Sequence, residues 1–151
     1  MIHLTKRKDL QISNFFNKMR VVPVSISYEF DPNDLNKAKE IHETEANGFY
    51  KKKVNEDFES ISRGISGFKG SVVLNIGNVM NFDSDSYEIV AEQITDEISN
   101  QFHNHPTNKD ALSILNKGLK LEDNEYFSER LKDQPDEVKS VLLNQYANSA
   151  N

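Results

Sequence analysis

The 151-residue sequence contains no cysteine. A disulfide scaffold, a thiolate metal site and a cysteine nucleophile are therefore excluded for this chain. No apolar run approaches the roughly 20 residues that a membrane-spanning helix needs, and the basic N-terminus has no apolar signal-peptide core. These absences predict a cytoplasmic protein of a reducing compartment, with no transmembrane segment and no signal peptide.

The net charge of −6 is unevenly distributed along the chain. Residues 1–70 carry 12 basic and 10 acidic groups, whereas residues 71–151 carry 6 basic and 14 acidic groups. An acidic second half argues against a nucleic-acid partner, which needs clustered Lys and Arg to displace counterions. Two basic clusters, Lys6–Lys8 and Lys51–Lys53, are typical of a solvated face. The alternative is a contact with phosphate or anionic lipid head groups.

The first half of the chain predicts a strand followed by two helices. Residues 21–28 are rich in β-branched and small side chains, which is typical of a strand buried on both faces. Asp31 can cap the next helix, Pro32 suits its first position, and Gly48 ends it. The charge of Asp34 in the first turn favours the helix dipole. A second helix is predicted over residues 56–65, because Phe58, Ile61 and Ile65 recur at helical spacing.

Glycines and a second strand follow, and the remainder is predicted to be helical. Gly64, Gly67 and Gly70 predict a helix C-cap and a turn into a strand near residues 71–76. Helices are expected over 87–102, 107–117, 123–133 and 136–146. About two strands with five to six helices cannot complete an α/β layer, because a strand buried on both faces needs covering layers and neighbouring strands. The chain is therefore expected to be the second half of an α/β domain.

The segment from Arg20 to Pro32, RVVPVSISYEFDP, resembles the last conserved block of the glycerolipid acyltransferases, of the 1-acylglycerol-3-phosphate acyltransferase type. The match is closest to a bacterial branch of that family. Later segments resemble the same branch in the same order, and they are 56–61, 64–70, 105–108, 129–131, 134–135 and 145–148.

The resemblance implies an acyltransferase α/β core over residues 1–80 and a helical C-terminal extension over residues 81–151. Family enzymes transfer an acyl group from acyl-CoA or acyl carrier protein to a lysophospholipid such as lysophosphatidate, without a cofactor. Their location is cytoplasmic or peripheral at the inner membrane. The resemblance leaves the substrate-binding residues unknown, and the family block in this chain is Val22, Pro23, Val24, Ser25 and Ile26.

The catalytic motifs of the family are not found where the resemblance requires them. Family enzymes place a His-x4-Asp general base, and a Glu-Gly motif with a phosphate-binding arginine, ahead of this block, and residues 1–20 contain neither. The chain is therefore expected to be a fragment of a phospholipid acyltransferase that is inactive alone, with an N-terminal half as partner.

One later string imitates the catalytic motif, because Asp110 follows His105 by five residues. A remote alternative makes His105 the general base and Asp110 the group that orients it. The order is wrong for the family, however, because this string follows the 21–28 strand. A capping arrangement, with Thr107 at the N-cap and Asp110 three positions into the helix, is the preferred interpretation.

A further alternative is a stand-alone helical interaction module that descends from such an enzyme. The edge of the 21–28 strand would then bind a partner or a second copy of the chain. No metal site is predicted, because His103 and His105 do not share a helix face and no third ligand is fixed by spacing.

Overall fold

The computed structural model describes residues 11–149, which form a helix-rich chain with one two-stranded antiparallel sheet. The strands are β1 (Val24–Tyr28) and β2 (Val72–Ile76). A 3₁₀ turn at Leu121–Asp123 precedes the last two helices. The seven α-helices of this part of the chain are α1 (Ile12–Met19), α2 (Asp34–Asn47), α3 (Glu56–Ser66), α4 (Tyr87–Asn100), α5 (Pro106–Leu115), α6 (Glu125–Leu131) and α7 (Asp136–Ala147).

The two strands and the six predicted helices are confirmed, and α1 was not predicted. The apolar residues Ile12, Phe15, Phe16 and Met19 recur at helical spacing, so the sequence did carry the signal for α1. The predicted start of the first strand was too early, because β1 begins directly after Pro23. Proline lacks the N–H that a ladder needs, which accounts for this boundary.

Chain contacts divide the described residues into two compact units. The first contains 11–26 and Val73–His103, and the second contains Ser27–Val72 and 104–149. Each unit therefore draws on residues from both sides of position 80. The predicted division at that position follows chain order and stays a prediction.

The first unit is built around α1, α4 and most of the sheet. Its buried apolar side chains include Phe82 and Val90. The side-chain amide of Asn17 fixes the segment at Phe82, because it donates to the Phe82 carbonyl and accepts from the Phe82 N–H, both at 2.8 Å. Asp85 accepts from the backbone N–H and the hydroxyl of Ser13 at 3.1 and 2.9 Å, which lowers the pKa of Asp85.

The second unit has a helical core formed by α2, α5, α6 and α7. Ala38 and Ala111 are fully buried small residues on α2 and α5, and they let α7 approach both helices. The other members of this buried cluster come from the last two helices, and they are Phe127, Leu131, Val138, Leu142, Leu143, Tyr146 and Ala147.

The predicted glycine turn after α3 is confirmed. Gly67 is the C-cap of α3, and its N–H donates to the Arg63 carbonyl at 2.7 Å. Gly70 has a φ of +63°, where a side chain would be strained, and an added Cβ would lie 2.7 Å from the Phe30 ring.

The capping of α2 and α5 differs from the prediction. Helix α2 begins at Asp34 with Asn33 as N-cap, while Asp31 accepts from the Asn33 N–H at 2.8 Å in the preceding turn. Helix α5 begins at Pro106, so His105, and not Thr107, occupies the N-cap. Proline suits the first position because its missing N–H is not needed there.

Candidate functional site

A buried carboxylate lies at the first turn of α2. The Asp34 side chain is 1% exposed, and its Oδ1 accepts from Arg130 Nε at 2.8 Å and from Arg130 Nη2 at 2.5 Å. Its Oδ2 accepts from the hydroxyls of Tyr126 and Tyr146 at 2.6 and 3.0 Å. The Leu35 N–H also donates to Oδ1 at 2.5 Å.

The Asp34 carboxylate serves as a structural anchor and is not available as a general base. A carboxylate has about four lone-pair sites, and five donors already converge on Asp34. Burial, followed by the hydrogen bond to Asp34, raises the pKa of Tyr126, while burial and the negative charge of Asp34 raise that of Tyr146. Both phenols therefore remain protonated donors at neutral pH.

A cavity of about 260 Å³ adjoins the Arg130 side chain. Arg63 of α3 and Arg130 of α6 line it, together with the rings of Phe30, Phe68 and Tyr126. The ring centroids of Phe30 and Tyr126 lie 4.3 Å apart, and those of Phe30 and Phe68 lie 5.6 Å apart.

The cavity offers donors and aromatic surface to a small anion or a planar group. Asp31 also lines it, but its Oδ2 is paired with Lys37 Nζ at 2.5 Å. The two carboxylates at this place, Asp31 and Asp34, are therefore both held in ion pairs, so the described lining provides binding groups without a general base.

The structure places His105 and Asp110 at the start of α5, with different surroundings. His105 is 2% exposed, and its backbone N–H donates to Asn108 Oδ1 at 2.7 Å. Asp110 does not cap α5 as predicted, because its Oδ2 accepts from Asn124 Nδ2 at 2.9 Å and so joins α5 to the start of α6. An imidazole buried this deeply does not present its ring to a substrate in solution, and the catalytic interpretation of this pair stays a prediction.

The segment Val22–Ile26, which carries the family resemblance, does not form a strand buried on both faces, contrary to prediction. Ser25 is buried and donates to the Gln101 carbonyl at 3.0 Å, whereas Val22, Val24 and Ile26 are exposed. Side chains alternate between the faces of a strand, and Gln101, the C-cap of α4, lies on the serine side. The small polar face is therefore covered and the apolar face is open.

Strand β2 adds to the same open face. The hydrogen bond from Gly77 N to Pro23 O, at 2.9 Å, sets a register in which Val24 lies opposite Ile76 and Ile26 lies opposite Leu74. All four side chains are exposed, with Ile26 at 56% and Leu74 at 57%. We call this set, Val24, Ile26, Leu74 and Ile76, the open sheet face.

Sequence reasoning missed the roles of four residues, which we call the Asp34 anchor: Asp34, Tyr126, Arg130 and Tyr146. Arg130 and Tyr146 fall in segments that carry the family resemblance, but no role was assigned to them, and Asp34 was interpreted only as a favourable charge at a helix start. Arg130 and Tyr146 lie 96 and 112 residues from Asp34, and Tyr126 lies 92 residues away. No local spacing signal links positions so far apart.

Within the described residues, no helix combines the length and apolar character needed to cross a membrane. The same part of the chain contains no group of three or more His, Asp or Glu side chains placed to hold a metal ion.

Comparison with known proteins gives no match: no family model, no curated protein and no solved structure matches this chain. The acyltransferase resemblance therefore stays an expectation from the sequence motifs.

Proposed function

We propose that this chain supplies the part of a glycerolipid acyltransferase-type α/β domain that follows the catalytic motif, and that it acts together with a segment that carries that motif. The open sheet face is the observation that carries this proposal. Sheets of α/β domains have both faces covered by other layers, whereas the apolar face of β1 and β2 is uncovered in this chain. A completing layer would bury Val24, Ile26, Leu74 and Ile76.

The packing of the resemblance segments supports the proposal independently. The Asp31 N–H donates to the Tyr146 hydroxyl at 2.9 Å, and the Thr107 hydroxyl donates to the Glu29 carbonyl at 2.9 Å. Asn108 Nδ2 donates to the Tyr146 carbonyl at 3.0 Å. Segments separated by 38 to 115 residues are thus joined near the end of β1, which is expected of motifs that define one fold.

The resemblance implies that the completing segment would supply the general base of the reaction. A histidine of the completing segment would remove the proton of the acceptor hydroxyl, and that oxygen would attack the acyl thioester carbonyl and expel the thiolate. The present chain would supply the end of β1, the Asp34 anchor and the adjoining Arg63 and Arg130.

Reconstitution tests the proposal. The full chain would be mixed with the separately produced N-terminal half of a bacterial 1-acylglycerol-3-phosphate acyltransferase, which carries the His-x4-Asp motif. Transfer of palmitoyl from palmitoyl-CoA to lysophosphatidate would then be measured. We expect transfer only in the mixture, since a missing general base costs about 10²- to 10⁴-fold.

Variants of the open sheet face make the test specific. Val24→Asp with Ile26→Asp should abolish reconstitution, because two carboxylates would have to be desolvated in the new interface. The control, Ser140→Asp with Asn144→Asp, adds the same charge at exposed positions of α7 and should retain it. No complex with the N-terminal half, or equal effects of both variants, would contradict the proposal.

A second candidate function is a stand-alone interaction module. Each strand of the two-stranded sheet has one neighbour within the described residues, so each retains one open backbone edge. An extended peptide could add to such an edge through backbone hydrogen bonds. This candidate predicts binding to partners without acyl transfer in any mixture.

A further inference from the structure

The cavity beside Arg130 lies between the loop after β1 and the C-terminal end of α3. Gly67 permits the close approach of these two segments, because an added Cβ would lie 2.5 Å from the Pro32 Cβ. Gly70 likewise leaves room for the Phe30 ring. Two positions without a side chain therefore shape this cavity, and all of its lining residues belong to the second unit.

Three aromatic rings, those of Phe30, Phe68 and Tyr126, form an apolar wall of the cavity. The planes of the Phe30 and Phe68 rings are inclined by 25°, and those of Phe30 and Tyr126 by 39°. Phe68 is 79% exposed although it stacks on Phe30, so most of its surface is left for a further contact. We call these three rings the aromatic wall. Such a surface favours a planar ligand, because aromatic groups stack on one another in offset or edge-to-face arrangements.

Two guanidinium groups form the polar wall of the cavity. Nε and Nη2 of Arg130 are occupied by Asp34 and by the Pro32 carbonyl, and the described residues supply no hydrogen-bond partner for its Nη1. Arg63 is exposed, and among the described residues no carboxylate lies within ion-pair distance of it. Both guanidinium groups therefore retain N–H donors for a ligand.

The carboxylates next to the cavity are already paired. Asp31 lines the cavity and pairs with Lys37, while Asp34 is held by Arg130 and by two tyrosine hydroxyls. These pairs leave Arg63 as the one group of the described lining whose charge is not neutralised by a direct partner.

The carbonyl groups at the end of α3 would repel an anion, because the C-terminus of a helix carries partial negative charge. Lys69 Nζ donates to two of these carbonyls, those of Ile65 and Gly67, at 3.2 and 2.9 Å. The lysine charge therefore offsets the helix end at the place where Gly67 lines the cavity.

The wider surroundings of Arg63 are electrically balanced. Arg63 also lines a neighbouring depression that contains three lysines and three glutamates, namely Lys39, Lys51, Lys53, Glu43, Glu56 and Glu59. The charge of Glu40 acts on Tyr50 and Lys52 at the same place, and Lys52 pairs with Asp57. With Arg63 these are five basic and five acidic groups. An anion at Arg63 is therefore held by direct hydrogen bonds and not by a long-range positive field, so a second negative charge on the ligand gains little.

We propose that this cavity binds a small planar monoanion, an aromatic carboxylate, with the carboxylate on Arg63 and the ring against the aromatic wall. The guanidinium fork matches the two oxygens of a carboxylate, and Arg130 Nη1 offers a further donor. The volume of about 260 Å³ lies below the range of pockets for drug-sized ligands, which limits the ligand to a small molecule. This inference goes beyond the proposed function and does not depend on it.

Titration of the full chain with 2-naphthoate tests the inference. Binding would be followed by the backbone amide chemical shifts of the ¹⁵N-labelled chain. We expect saturable binding with a dissociation constant on the order of 1 mM, which suits so small a ligand, and shift changes concentrated at residues 30–32 and 63–70.

Three comparison probes separate the contributions of charge and ring. The neutral 2-naphthalenemethanol should bind about tenfold more weakly than 2-naphthoate, because it loses the hydrogen bonds of a charged group. Decalin-2-carboxylate keeps the charge without a flat ring and should bind about threefold more weakly. The dianion 2-naphthyl phosphate should bind no more tightly than 2-naphthoate.

Two pairs of variants assign the binding to this cavity. Arg63→Gln should weaken 2-naphthoate binding about tenfold, whereas Arg20→Gln, the same change at an exposed arginine after α1, should bind as wild type. Phe68→Leu should weaken binding about threefold, whereas Phe49→Leu, at a ring that is 67% exposed, should not.

Circular dichroism and thermal unfolding of each variant establish that it is folded, and the exposure of all four substituted positions favours this. Equal binding by the Arg63 variant and its arginine control would overturn the inference, as would tighter binding of the naphthyl phosphate. It would also be overturned if wild type bound the alcohol as tightly as the acid, if its shift changes were confined to the open sheet face, or if it showed no saturable binding.

Discussion

Arg130 places both Nε and Nη2 on one oxygen of Asp34, across 96 residues of chain. The ion pair connects the first turn of α2 to α6, and Nη2 also approaches the Pro32 carbonyl at 3.4 Å. Because Asp34 is almost fully buried, its charge depends on these donors.

Removing the Arg130 guanidinium should therefore destabilise the chain strongly. Arg130→Met keeps much of the apolar stem but leaves Asp34 with the two tyrosine hydroxyls and one backbone N–H. We expect a loss of about 3 kcal/mol in the free energy of unfolding, near the lower end for a broken buried pair because Arg130 is partly exposed. Urea denaturation measures this loss.

Lys139→Met is the matched control, since Lys139 pairs with the exposed Asp136 at 2.9 Å on α7. Exposed pairs contribute about 1 kcal/mol or less. Similar losses in the two variants would show that the Asp34 charge is solvated in the folded chain.

The tyrosines of the Asp34 anchor predict a loss of stability at high pH. The pKa of Tyr146 is raised in the folded chain, first by burial and then by the charge of Asp34, whereas an unfolded tyrosine ionises near pH 10. Above pH 10 the unfolded chain releases this proton and the folded chain keeps it, so stability is full below that pH and falls as the pH rises.

Because of Tyr146, the free energy of unfolding should fall by about 1.4 kcal/mol per pH unit between the pKa values of the unfolded and the folded chain. Urea denaturation at a series of pH values above 9 measures it, and tyrosinate absorbance reports ionisation. Tyr146→Phe should be less stable at neutral pH and should show a shallower decline. An unchanged slope in that variant would assign the effect to other groups.

The sequence predicted the positions of the helices and strands better than it predicted which of their faces are buried. Periodic apolar residues located α3 and α4, and glycines located the ends of α2 and α3. The predicted burial of β1 on both faces was wrong, because Ser25 and Ser27 are buried whereas Val24 and Ile26 are exposed. Here the covered face is the serine face, because the Gln101 carbonyl at the end of α4 accepts from Ser25 and Asn75.

The Asp34 anchor could not be predicted from local patterns. An aspartate in the first turn of a helix is usually explained by the helix dipole, and that explanation was sufficient for Asp34. The tertiary partners lie on helices whose order in space is set by the packing of Ala38 and Ala111 against α7. Small-residue packing of this kind has a weak sequence signature.

The isolated chain is predicted to transfer no acyl group from acyl-CoA to lysophosphatidate. A full-length sample assayed without any N-terminal half should give the rate of the blank, because residues 1–20 carry no His-x4-Asp motif. Turnover would favour the remote alternative in which His105 acts as base. The variant His105→Gln would then test whether His105 is the base, with Lys109→Gln as the exposed control on α5. If His105 is catalytic, His105→Gln loses turnover and keeps its circular dichroism spectrum, whereas Lys109→Gln keeps both.

The open sheet face predicts self-association of the isolated chain. Val24, Ile26, Leu74 and Ile76 form a contiguous apolar surface on a sheet whose strands also have open edges, and such surfaces pair with other copies when no natural cover is present. Analytical ultracentrifugation at tens of micromolar should therefore detect dimers or larger species, and a hydrophobic dye should bind.

Val24→Asp with Ile26→Asp should shift the chain toward monomer, whereas Ser140→Asp with Asn144→Asp should not. The two pairs add the same charge, so a difference between them isolates the sheet face from general electrostatic repulsion. A wild-type monomer that binds no dye would mean that the chain itself covers this face, and no completing segment would then be needed.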